Sequence, residues 1–217
     1  DNPLLDFAGL PRFTDITPDD VSPAISLLLA QSRDLVSRLT EDSVRPTWDT
    51  FAQPLADGFE KLSRAWGIVA HLHSVNDVPQ WREIYNRLLP DVSRFYAEIG
   101  QNLQLFAKYK ALAASDEYTG LSAAQRRIVE QEIRDFRLGG AELPAELKPR
   151  FQAISEELAQ LSARFSENLL DATNAFAEWV DDESELAGLP ADVCQAARAA
   201  AERDGRTGWK FNLHMPS

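Results

Sequence analysis

Residues 48–73, WDTFAQPLADGFEKLSRAWGIVAHLH, decide the fold class. Trp48, Phe51, Leu55, Phe59, Leu62, Trp66, Val69 and His73 follow one another at steps of 3, 4, 4, 3, 4, 3 and 4. That spacing lays one apolar stripe along one face of a helix, which then needs a partner to cover it. Pro54 falls early in the pattern, tolerable in a first turn and kinking anywhere later.

The same period recurs on both sides. Upstream, Thr17-Pro18-Asp19-Asp20 reads as a helix start, with a Thr cap, Pro at the first position and two acids at the positive end of the dipole. Val21, Ile25, Leu28, Leu35 and Leu39 carry that helix to about Leu39. The first 16 residues, with Pro3 and Pro11, read as an extended arm whose apolar side chains pack on something. Downstream, Asp77-Val78-Pro79 opens a third helix bearing Ile84, Leu88, Val92, Phe95, Ile99, Leu103 and Phe106; Pro90 inside it is expected to bend or divide it. Leu121-Ser122-Ala123-Ala124-Gln125 has the form of a capping box, and Gly139-Gly140 ends the helix it opens.

Leu147, Phe151, Ile154, Leu158, Leu161, Phe165, Asn168 and Ala172 form the longest run, at alternating steps of 4 and 3. This predicts a helix of roughly 40 Å packed as a bundle or hairpin element against neighbours with matching stripes. Near the end Trp209, Phe211 and Leu213 alternate with polar residues as a half-buried strand does, and Phe176 to Val180 is a candidate partner. Leu189-Pro190-Ala191-Asp192 starts a short helix between them, closed by Gly205. The expectation is a mainly α fold: an antiparallel long-helix bundle with a small C-terminal β-hairpin interrupted by a short helix. Residues 1–173 form the helical domain and residues 174–217 a strand-helix-strand extension packed on it.

Composition narrows the function classes. Among 217 residues, 22 Lys and Arg oppose 34 Asp and Glu, a formal charge of −12. Residues 1–60 alone hold 11 acids and 4 bases. A phosphate-binding surface shows as a basic excess, so nucleic acid and anionic membrane are not expected partners. No apolar run reaches the ~20 residues of a membrane span, and no basic-then-apolar leader opens the sequence. The single cysteine, Cys194, excludes an intrachain disulfide and fits a reducing, cytoplasmic compartment.

Chemistry is sparse. His71 and His73 stand two apart on a helix, about 200° around its axis, and cannot jointly clasp a metal. His73 on the apolar face reads as a hydrogen-bonded interior residue, His71 as a solvent or interhelix contact, and His214 is distant in sequence. There is no H-E-x-x-H, no C-x-x-C, no G-x-S-x-G and no glycine loop preceding a helix. Asp181-Asp182-Glu183-Ser184-Glu185 lacks the alternation of a calcium loop and reads as a solvated turn. Cys194 among Ala196, Ala197 and Ala199 to Ala201 reads as a packing residue. Arg126, Arg127, Arg134 and Arg137 keep near one helical face, where pairing with Glu130, Glu132 and Asp135 is preferred over anion binding. Asn168, the polar member of the longest stripe, fits a register-fixing role. No catalytic, cofactor-binding or metal residue is assigned.

Several segments in collinear order carry a resemblance. They are Asn2-Pro3-Leu4-Leu5, His71-Leu72-His73-Ser74-Val75, Arg134-Asp135-Phe136-Arg137-Leu138-Gly139-Gly140, and Leu158 to Phe165 with Ser166 to Thr173. Glu185-Leu186-Ala187-Gly188-Leu189-Pro190 and the closing Pro216-Ser217 complete the set. Together they resemble the N-terminal region of the thimet oligopeptidase family of zinc metallopeptidases, in its bacterial oligopeptidase A branch, over essentially all 217 residues. The resemblance implies a parent whose zinc ligands and general-base Glu lie in an H-E-x-x-H helix and a downstream Glu, none of which matches a position here. It implies a helical wall of a channel that admits short peptides, with zinc in the parent and none bound by this piece. It also implies an inert fragment, with short peptides and the absent C-terminal catalytic domain as partners. A chain that starts without Met and ends at Pro-Ser is expected to be an excised piece. One departure is His73, where the family pattern leads one to expect Asn. The alternative is a free-standing helical interaction module without enzymatic activity.

Overall fold

The computed structural model describes residues 2–76 and 78–214. Helix α1 (Pro18–Leu39) starts where the sequence places it: the Thr17 backbone N–H and hydroxyl both donate to the Asp20 carboxylate, at 2.8 and 2.7 Å. Those bonds satisfy a donor the helix start leaves open. They also hold the Asp20 carboxyl below the usual carboxylate range, the Thr17 hydroxyl first and its N–H second.

The arm is not simply extended. It contains two 3₁₀ turns, Pro3–Leu5 and Phe13–Asp15, and Asn2 caps the first by accepting the Leu4 N–H at 3.0 Å. The Asn2 amide in turn donates to the Asp20 carbonyl at 2.7 Å, and Leu4 is buried. Arg64 of α2 (Gln53–Val75) clasps the arm further on, donating to the carbonyls of Phe7, at 3.2 Å, and Gly9.

Helix α2 is preceded by a π-helical turn over Trp48–Ala52, so the stripe from Trp48 runs through two kinds of helix. Pro54, the second residue of α2, sits where its missing N–H costs least. Gly58 faces α1 so closely that a β-carbon there would stand 2.1 Å from a Leu35 methyl. Helix α3 (Pro79–Gly100) continues through Pro90, which neither ends nor divides it. The predicted single helix divides instead at Gln101-Asn102, because Asn102 caps a new one, α4 (Leu103–Ala113), by accepting the N–H groups of Gln104 and Leu105 at 3.0 and 2.9 Å. The cap of α3 falls on Val78; Asp77 lies outside the described residues.

Helices α1, α2 and α3 share one core around Val21, Ile25, Leu62, Val69, Ile84 and Phe95. A second core joins the ends of α1 and α2 to α4 and α6 (Ala123–Leu138) around Phe51, Leu55, Leu105, Leu112, Val129 and Phe136. Each fully buried side chain of this size contributes about 1.5–3 kcal/mol. The short α5 (Asp116–Gly120) leads into the capping box, where the Ser122 hydroxyl accepts the Gln125 N–H and the Ser122 N–H donates to the Gln125 amide oxygen. At the far end Gly140 takes φ +90°, and Ala141 and Gly140 donate back to Phe136 and Arg137, the paired bonds of a Schellman stop.

Helix α7 (Lys148–Ala175) matches the longest stripe in position, but its packing differs from expectation: none of its 28 residues is buried. Its start is tied down at the edge, where Lys148 and Gln101 exchange hydrogen bonds and Arg94 pairs with Glu156 at 3.1 Å. The chain divides into two compact units, Asp1–Gln160 and Leu161–Ser217, with the division inside α7. In the second unit β1 (Glu178–Val180) pairs antiparallel with β2 (Trp209–Phe211), Trp179 opposite Lys210, and α8 (Ala191–Arg203) lies between them in sequence. Leu186, Ala197 and Trp209 are its buried centre. The result is mainly α with one two-stranded antiparallel sheet, and among the described residues no helix is long and apolar enough to cross a membrane.

Candidate functional site

The two histidines of α2 go to different neighbours. The His71 ring meets Phe13 of the arm edge-on at 5.4 Å. His73 is half-buried and stacks flat on Tyr85 of α3 at 4.2 Å, while Trp66 stacks on the same ring at 5.0 Å. Trp66 and His73 are seven residues apart, about 10.5 Å along the helix, so Tyr85 is slotted between them. That sandwich gives His73 a packing role that the sequence alone does not reveal, because Tyr85 belongs to no stripe of its own. His214 lies in the second unit, its N–H donating to Asn212 at 2.8 Å.

Among the described residues no three His, Cys, Asp or Glu side chains come together to hold a metal ion. The acid run after β1, read from sequence as a turn, opens a short 3₁₀ helix, Glu183–Leu186: Asp182 caps it by accepting the Ser184 N–H at 2.9 Å, which holds its carboxyl below the usual range. Cys194 is half-buried against Leu186, Ala197 and Trp209, with the Arg198 guanidinium 5.2 Å from the Trp209 ring centre.

The arginines of α6 are mostly spent on neighbours. Arg127 pairs with Glu130, three residues on as the spacing suggests, at 3.7 Å, and Arg134 with its immediate neighbour Asp135 at 2.8 Å. Arg137 pairs instead with Glu142 beyond the helix at 3.6 Å, and Arg126 donates to the Thr119 carbonyl at 3.3 Å. These ion pairs are more than half exposed, so each contributes at most about 1 kcal/mol. Glu132 finds none of them. Burial, with Asp135 adding to it, pushes its carboxyl above the usual range, and its charge faces the buried Tyr109, whose phenol is raised chiefly by burial.

Two surface features stand out. A cleft of about 440 Å³ between α1 and α2 is lined by Leu28, Leu35 and Pro54 together with Asp34, Arg38, Asp57 and Lys61, two charges of each sign. The second is the stripe of α7, where Leu158 is 58% and Phe165 70% exposed.

Residues 25–148, more than half the chain, match the family model described as the neurolysin/thimet oligopeptidase N-terminal domain. The chain belongs to this oligopeptidase family. Oligopeptidase A of Haemophilus influenzae is 38% identical over 216 residues, covering 100% of this chain and 32% of the relative. A probable cytosolic oligopeptidase A of Arabidopsis thaliana is 34% identical over 223 residues with the same coverage. A dipeptidyl carboxypeptidase of Salmonella typhimurium is 28% identical over 217 residues, covering 98% of the chain and 32% of that protein. The chain thus spans about a third of the length of the curated relatives it matches. Within the family, the matched stretch runs from α1 to the first residue of α7 and includes the cleft between α1 and α2.

Proposed function

We infer that this chain is the helical channel-wall part of a zinc-dependent oligopeptidase that hydrolyses short peptides, and that by itself it catalyses nothing. The family match over residues 25–148 is the observation that carries the reading. Relatives named as oligopeptidase A and dipeptidyl carboxypeptidase support a peptidase parent. In this reading residues 1–173 are the wall and residues 174–217 extend it. Zinc, and the water it activates for attack on a peptide carbonyl, belong to the parent's catalytic part and not to these residues. Short peptides and that catalytic part are the partners, and the cytoplasm is the compartment, as for the relative described as cytosolic.

The test has two arms. The reading frame past Ser217 is expected to encode H-E-x-x-H within a few hundred codons, and the full-length product to cleave short peptides in a chelator-sensitive way. The 217-residue chain, freed of the rest, is expected to cleave none. A frame ending close to Ser217 returns the molecule to a free-standing interaction module. Peptide cleavage by the chain alone overturns the wall reading.

A further inference from the structure

The second unit carries a pocket of its own, of about 440 Å³, assembled entirely from residues 183–209. That volume falls within the roughly 300–1,000 Å³ of small-molecule sites. The 3₁₀ helix Glu183–Leu186 brings Glu183 and Leu186 to it, α8 brings Ala191, Cys194 and Arg198, and β2 brings Trp209. Steps of 3 and 4 keep the α8 residues on one helix face. Leu186 and Trp209 also belong to the buried centre of this unit, so the packing that holds the unit together fixes two walls of the pocket.

The polar groups of this lining lack partners. Arg198 lies over the Trp209 ring, 5.2 Å from its centre, and its guanidinium makes no hydrogen bond or ion pair among the described residues. The Glu183 carboxylate is equally unpaired among them. Trp209 is 6% exposed, and its indole N–H has no acceptor there either. Among the described residues no side-chain nitrogen or oxygen is both sealed from solvent and unpartnered, so this N–H reaches open space, and Trp209 lines the pocket. Two donors without an acceptor suit a carboxylate, and an acid without a cation suits an ammonium. Between them Leu186, Ala191 and Cys194 offer an apolar surface. We propose that the pocket binds a free α-amino acid with an apolar side chain. Its carboxylate accepts from Arg198 and the Trp209 indole, its ammonium donates to Glu183, and its side chain lies against Leu186, Ala191 and Cys194. A simple anion would leave Glu183 unpaired, and a simple cation would leave Arg198 so. The inference uses residues outside the stretch 25–148 matched to the family model and is independent of the peptidase reading.

Cys194, the single cysteine of the chain, reports occupancy because it lines the pocket. The test follows the rate at which iodoacetamide alkylates Cys194 in the 217-residue chain, with and without L-leucine. Leucine is expected to slow alkylation several-fold, half-maximally at about 1 mM, the affinity open to so small a ligand. Leucinamide lacks the carboxylate and N-acetyl-leucine the ammonium, so each is expected to need about tenfold more. Arg198→Ala and Glu183→Gln, on different elements, are each expected to weaken protection by leucine about tenfold with an unchanged circular dichroism signal. The two analogues carry the test on the parent chain if either variant fails to fold. Alkylation indifferent to leucine up to about 100 mM overturns the proposal, and so does a Cys194 that never reacts, since the pocket is then closed. Equal protection by leucinamide or by N-acetyl-leucine overturns the zwitterion reading, and protection that survives both substitutions overturns the residues assigned. In any longer product that contains this chain, labelling resolved at Cys194 is expected to show the same protection. Its loss there would mean that further chain fills the pocket, which also overturns the proposal.

Discussion

Gly139, just past the end of α6, stands backbone to backbone with Gly100 at the end of α3: a β-carbon on Gly139 would lie 3.0 Å from the Gly100 α-carbon and 3.1 Å from its carbonyl oxygen. Neither atom is a flexible side-chain tip, so the helix ends would have to separate. Gly139→Ala is expected to lower unfolding stability by about 1–3 kcal/mol in urea titration. Gly100→Ala, whose nearest contact would be 3.4 Å, is expected to cost less. Equal costs would show that the approach is looser than described.

Glu132 yields a pH prediction. Its carboxyl is raised above the ordinary value, so the folded state holds the proton more tightly than the unfolded chain does. Its contribution is therefore favourable below the unfolded value and is lost as pH rises through the folded one. Glu132→Gln is expected to raise the melting temperature near pH 7, with the gain vanishing below about pH 4. A gain that persists in acid would point to packing instead of charge.

The sign reverses at the start of α1. Asp20 is held below the ordinary carboxylate value by Thr17, so its contribution is present above the unfolded value and is lost as pH falls through the folded one. Asp20→Ala is expected to cost about 1 kcal/mol at neutral pH. The difference from the parent should shrink in acid, measured by denaturant titration at pH 7 and about pH 3.

Arg64 holds the arm by two backbone carbonyls, Phe7 and Gly9. Removing it should free the segment around Gly9 and Leu10, where Leu10 is already exposed, without touching either core. Arg64→Ala is expected to speed limited proteolysis near residues 9–13 several-fold while changing global stability by less than about 1 kcal/mol. A large global loss would mean that the arm is part of the core's cooperative unit.

How much of this the sequence carries depends on whether a signal is local. Thr17 with Asp20 and Ser122 with Gln125 are complete within four residues, and both helix starts are legible there. So is the Gly140 stop, where the backbone takes a positive φ that suits glycine. Where sequence and structure part, signals compete. Pro90 is the stronger breaker by rank, yet the helix breaks some ten residues on, where Asn102 offers two backbone N–H groups an acceptor. The arm reads as extended in sequence because the Asn2 amide that anchors its first turn bonds to a carbonyl eighteen residues away. The Tyr85 sandwich and the Gly100–Gly139 approach are pairings across helices, which no single period encodes. The stripe of α7 is legible as a pattern, but periodicity says that a face is apolar and not what covers it.

The hairpin has a kinetic side. Strands β1 and β2 are three residues each, too short to hold together unaided, and residues 181–208 separate them. Closing so long an interval costs chain entropy before any strand bond forms, and α8 with Leu186 and Trp209 supplies the compensating burial. Pairing of the two strands thus requires the chain through Phe211. During synthesis β1 waits, unpaired, until Phe211 has emerged, so a ribosome stalled inside α8 would hold a nascent chain with an open sheet edge.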